Sequence, residues 1–153
     1  MKAYFNKTLY LLIIIILIIL ATACSLERTN PLDPKSNPNV TIPPTPVIIS
    51  SETVGRDIEL IWYRTEENPH LIHHYNIYRS GSDRGPFRFL RTVYVTEETG
   101  EIMEYTDSFQ IISGLNYFYK VSAVTHPVEG TIPPQGLEGR LSEHCGGVRA
   151  GGN

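Results

Sequence analysis

The chain has 153 residues, with 13 Lys+Arg against 16 Asp+Glu, five histidines and two cysteines. That length suits one domain of ordinary size plus accessory segments. The mildly acidic balance excludes nucleic acid as a partner, because phosphate backbones demand clustered Lys and Arg; Arg79, Arg84, Arg88 and Arg91 scatter across one predicted hairpin and read as a solvated face.

In chain order, Lys2 and Lys7 precede 13 apolar or small residues, Leu9 to Ala21, and Ala21-Thr22-Ala23 places small residues ahead of Cys24. This is the three-part pattern of an export signal. A membrane-spanning helix needs roughly 20 apolar residues at about 1.5 Å each. The stretch falls short of that, and no basic stop-transfer cluster follows it. Cleaved secretion and an uncleaved short anchor remain as alternatives on this pattern alone. The segment LATAC, Leu20 to Cys24, resembles the lipobox of bacterial lipoproteins, with Ala21 in the position usually held by Leu. The resemblance implies a signal peptide over 1–23, cleavage between Ala23 and Cys24, a diacylglycerol thioether on Cys24 and acylation of its new amino group. One acyl chain binds a bilayer marginally, whereas two or three hold it firmly. The expected partner of this end is therefore a membrane, in the bacterial cell envelope. Ser25 rather than Asp after the cysteine favours the outer membrane, by analogy with enteric bacteria.

Residues 24–46 carry Pro31, Pro34, Pro38, Pro43, Pro44 and Pro46 among Asn, Ser and Thr, with neither helical nor strand periodicity. They read as an extended tether or a plain disordered spacer. At about 3.1 Å per residue the stretch to Pro43 reaches up to ~60 Å. If the first 23 residues are removed, 11 basic residues remain against 16 acidic ones.

From Val47 the pattern becomes short alternating runs. In DIELIWY, Ile58, Leu60 and Trp62 share one side; in HYNIYR, Tyr75 and Ile77; in YFYKVSA, Tyr117, Tyr119, Val121 and Ala123. Period two with aromatic and branched residues on one side predicts half-buried strands. GSDRGP, Gly81 to Pro86, reads as a hairpin turn, and ETG, Glu98 to Gly100, as another bend. Several short strands within about 100 residues predict a β-sandwich.

These runs together resemble a fibronectin type III domain over 47–149, followed by a tail, 150–153. The resemblance rests on the entry PPTPVI, Trp62 closing the second strand, YNIYRS and GPFRFL as the third and fourth strands, YTD (Tyr105 to Asp107) as the fifth, and Ile111 six residues before Tyr117. It implies an all-β, immunoglobulin-like sandwich of seven strands. It also implies a core role for Trp62 and a tyrosine corner, in which the Tyr117 hydroxyl bonds upstream backbone near Ile111. GLEGRLS leads into a last strand expected through EHCGGVRA, where Gly146 and Gly147 remove side chains and weaken the pairing.

Candidates for chemistry are few. His70, His73 and His74 lie close in sequence, but adjacent strand residues point to opposite sides, so His73 and His74 are not expected to chelate one ion. His144 and Cys145 diverge for the same reason, and with Cys24 lipidated Cys145 is expected as a free thiol. The pairs Glu66-Glu67 and Glu97-Glu98 read as solvated turn charges. No nucleophile elbow, phosphate loop or metal motif appears. We therefore expect no enzyme activity, no cofactor and no metal. Tyr78 and Phe118, expected to face outward on neighbouring strands, form the candidate binding surface; a cross-strand packing pair is the structural alternative. The loop from Thr125 to Gly136 is long for a hairpin and is a second candidate contact. The expected function is a membrane-anchored, non-catalytic module binding a protein of the envelope. The alternatives are a carbohydrate-associated accessory module and a structural spacer.

Overall fold

Alternation in the sequence becomes strands in the structure. The computed structural model describes residues 30–64, 70–96, 98–129, 131–145 and 147–151; from Pro31 these belong to one unit, Pro31–Asn153. Ala23, Cys24, Glu66, Glu67, Glu97 and Gly146 lie outside the described residues, as does the apolar run before Cys24. Among the described residues there are seven strands: β1 (Ile48–Val54), β2 (Asp57–Tyr63), β3 (Ile72–Ser80), β4 (Arg88–Tyr94), β5 (Ile102–Asp107), β6 (Asn116–Thr125) and β7 (Val148–Arg149). They form a three-stranded sheet in the order β1-β2-β5 and a four-stranded sheet in the order β4-β3-β6-β7. Every pairing is antiparallel, so the fold is the expected all-β sandwich.

The inward faces are those the alternation marks. Ile58, Leu60 and Trp62 of β2 join Tyr75 and Ile77 of β3 and Tyr119, Val121 and Ala123 of β6 in one cluster closed to solvent. Burying each large side chain contributes roughly 1.5–3 kcal/mol. Trp62 and Tyr75 meet edge to face across the two sheets, with centroids 5.6 Å apart at 70°. In the loop before β6, the backbone N–H of Ile112 donates to the Tyr117 hydroxyl at 2.9 Å, while the Tyr117 ring is buried and Ile111 packs against the core. Gly114 takes a positive φ of 81° in that loop, and its N–H reaches the carbonyl of Ala150 at 3.1 Å.

Four boundaries differ from the sequence reading. The last strand does not run through EHCGGVRA. The chain pairs with β6 first through Leu137, Gly139 and Ser142, then again at Val148 and Arg149. Ser142 both donates its N–H to Val121 and accepts the Val121 N–H on its hydroxyl, at 2.8 and 2.9 Å. Between these two pairings β6 advances by four residues, from Val121 to Tyr117, while the final segment advances by six, from Ser142 to Val148, so the register is broken by two residues. β4 begins at Arg88, after GPF, and continues to Tyr94. The expected tether, 24–46, is not free along its whole length: turns bonded to Asp33 and Asn37 occupy 33–40, and Val40, Pro43 and Pro46 are buried. Apolar Val40 and the proline rings gain burial by lying on the sandwich, with Pro43 against Gly139. At the other end Ala150 is buried and bonded to Leu115, so the fold extends past 149.

Candidate functional site

One buried charge pair ties the sheets together. Asp107, at the end of β5 and inaccessible to solvent, accepts from Arg79 Nη1 of β3 at 2.7 Å, from the Tyr119 hydroxyl of β6 at 2.7 Å and from the N–H of Phe109 at 3.1 Å. Arg79 Nη1 also donates to the Phe109 carbonyl at 2.7 Å, and its guanidinium lies 5.1 Å from the centre of the Tyr117 ring. Burial and the Asp107 carboxylate push the Tyr119 hydroxyl far up from its ordinary value. Burial opposes the charge on Arg79, but the carboxylate outweighs it and holds Arg79 above its usual value. Arg79 was expected in a solvated scatter; Asp107 makes it an inter-sheet tie instead.

The outer face of the four-stranded sheet holds a polar network. Glu138 Oε1 accepts from Asn76 Nδ2 at 3.2 Å, from the Tyr78 hydroxyl at 2.6 Å and from Ser122 Oγ; Thr92 in turn donates to Asn76 at 2.9 Å. Burial would raise the Glu138 carboxyl, but the three donors prevail and hold it below the usual range. Burial, then the bond to Glu138, pushes the Tyr78 hydroxyl up to about 12.

Histidines gather beside this network, against expectation. A register shift between Ile72 and His74 breaks the strict alternation of β3, and the Nδ1 atoms of His73 and His74 stand 2.9 Å apart. His126 adds a third ring, 4.8 Å from that of His73, and Tyr94 lies against both neighbours. Burial first, then His73, holds His74 below its ordinary 6.5, with Glu138 opposing. His70 lies apart on the rim of an open cleft of about 650 Å³, which Val128 and His126 also line. Among the described residues no group of three or more His, Cys, Asp or Glu is placed to hold a metal ion.

Tyr78 and Phe118 do share the outer face, but neither stands proud of it. Both are half-buried. Tyr78 is bonded to Glu138 and meets Phe89 edge on, with centroids 5.9 Å apart. Phe118 covers Gly147, where a Cβ would come within 2.7 Å of the ring, and touches His144. It fills the side-chain gap that Gly147 leaves. Cys145 is half-buried in the apolar cluster, its thiol 3.8 Å from the Tyr119 carbonyl.

The other sheet carries the more open apolar surface. The N–H of Tyr63 bonds the Val47 carbonyl on one side, and Tyr63 pairs with Ile102 on the other. These three side chains are 62, 51 and 50% exposed for Val47, Tyr63 and Ile102. Ile61 follows on the same face, paired with Ser50 and Glu104. Farther along, Glu52 and Glu59 stand directly opposite each other, an arrangement that costs stability in a sheet.

Sequence reasoning missed Asp107, Glu138 and Ser142. Asp107 had a signal: it follows Met103 and Tyr105 at period two, so its parity is inward. Glu138 and Ser142 had none, because their positions depend on how the broken last strand meets β6. No protein-family model matches the chain, and no curated protein matches it. Among solved structures the chain is similar to an Fn3-like protein from Clostridium thermocellum, with a TM-score of 0.52 and 23% identity over 71% of this chain and 94% of that one. That likeness shows the fold, a fibronectin type III-like sandwich.

Proposed function

We propose that this protein is a lipid-anchored envelope protein whose fibronectin type III-like domain docks another protein and performs no catalysis. The anchor reading rests on the sequence before and at Cys24. The docking reading is carried by one observation, the outer face of the three-stranded sheet. Val47, Tyr63, Ile61 and Ile102 form a contiguous apolar surface that the core does not use, and Glu52, Glu59 and Glu104 border it. An apolar centre with a charged rim is the anatomy of a protein interface. The acidic rim selects a partner whose own rim is basic.

The test places a photoreactive side chain at Tyr63 in the full chain in intact cells, and at exposed Arg140 as control. The expected result is one discrete protein adduct from position 63, lost in Ile102→Lys. Equal capture from both positions would defeat the interface. For the anchor, labelled palmitate should enter the wild type and not Cys24→Ala. A carbohydrate-associated role has one observation in its favour: Phe89 and Tyr94 are exposed on the other sheet with Thr92 between them. Retention on a glycan array that Tyr94→Ala abolishes, with no protein adduct at position 63, would favour it.

A further inference from the structure

Two arginines of the β3–β4 hairpin, Arg79 and Arg88, line one cleft. It has a volume of about 600 Å³ and opens where the hairpin turn meets the loop after β5. Arg79 and Arg88 are directly paired across β3 and β4. Like charges so placed destabilise a sheet unless something offsets them. Asp107 offsets one. Arg88, exposed, has no hydrogen bond or ion pair among the described residues.

We propose that this cleft binds a monoanionic carboxylate carried on an apolar or aromatic body. Charge fixes the valence. Asp107 neutralises Arg79, so the wall carries one uncompensated positive charge, that of Arg88; a dianion would bring a surplus. Geometry fixes the group. Arg79 is held by Asp107, the Phe109 carbonyl and the Tyr117 ring, and it spends one of its nitrogens on the two oxygen acceptors. Its remaining N–H groups are held in a fixed plane, the arrangement that meets a carboxylate edge on. The Ser80 hydroxyl in the same wall accepts from the Ser82 N–H at 3.1 Å, and its own hydrogen has no acceptor among the described residues. The apolar body follows from the lips: Phe89 and Phe109, 58 and 59% exposed, both line the opening. Exposed aromatic rings beside a fixed cation bind an anion that brings its own hydrophobic portion. The site stands apart from the three-stranded sheet face, and neither proposal needs the other.

The probe is N-acetylphenylalanine, titrated into the full-length protein in detergent micelles and followed by calorimetry or NMR. Its carboxamide and phenyl phosphate serve as comparisons. Saturable binding of the carboxylate is expected, with the carboxamide at least about tenfold weaker, the loss of a charge-assisted bond. Arg88→Gln should weaken binding by about tenfold or more with an unchanged melting curve, since Arg88 supports no contact in the fold, and Arg88→Lys should retain part of it. Three results would overturn the proposal: no saturation up to about 10 mM, weaker than any specific site of this size; equal binding of acid and carboxamide; or Arg88→Gln binding like the wild type. Tighter binding of phenyl phosphate than of the carboxylate would overturn the assignment as a monoanion site.

Discussion

Replacing Asp107 by Leu should unfold this sandwich more readily than its size as a single carboxylate implies. The substitution removes three bonds at once and leaves the Tyr119 hydroxyl in the core without its acceptor, a loss of about 1–3 kcal/mol by itself. It also strands a cation: breaking a buried pair costs about 3–5 kcal/mol. The Arg79 side chain is still 17% exposed and keeps the Phe109 carbonyl, so the total belongs near the lower end, about 4 kcal/mol. For a domain of this size that is a fall in Tm of about 16 °C. Arg79→Met should cost a similar amount, because Asp107 would then hold its charge in the core with only two donors. The double substitution removes both charges and both desolvation penalties, so it should cost at least ~2 kcal/mol less than the two single losses together. The lone tryptophan, Trp62, is buried in the core, and its fluorescence during urea unfolding reads all four proteins. Additivity within about 0.5 kcal/mol would refute the reasoning, because it would mean that the two charges do not stabilise each other.

Tyr117→Phe should lose about 1 kcal/mol through the missing bond from Ile112; an unchanged urea midpoint would contradict the role of that hydroxyl in the corner. Gly136→Ala should cost about 2 kcal/mol or more. A Cβ there would lie 2.1 Å from the Thr125 carbonyl, and backbone cannot turn away as a side chain does. Stability should also fall with acid from about pH 6.5 downward: the folded state holds His74 below its ordinary value, so the unfolded chain binds more protons as pH drops through that window. His74→Asn should flatten this part of the stability–pH curve, and a wild-type slope in the variant would remove His74 from the explanation.

The parts legible in the sequence were those governed by local alternation. Ile58, Leu60 and Trp62, Tyr75 and Ile77, and the run from Tyr117 to Ala123 each declare an inward face, because side-chain direction in a strand has a period of two whatever lies opposite. What escaped depends on register between distant segments. A shift at Ile72 and His74 against β6 gathers histidines that strict alternation would separate. The surplus residues before Val148 leave the last strand two residues long and set Gly147 beneath the Phe118 ring. The charges were misjudged for a related reason: Arg79 looks solvated until Asp107, 28 residues later, arrives from the other sheet.

The packing of Val40, Pro43 and Pro46 against the sandwich has a mechanical consequence. A pull on the chain from its N-terminal side meets that short seam, seated on Gly139, before it reaches the ladder of β1 and β2. The seam is held mostly by apolar contact and a few turns, so under load it should yield before the hydrogen-bonded strands do. Tension would then reach the hydrogen-bonded body only after this slack is spent, and the seam would cushion the domain against a pull.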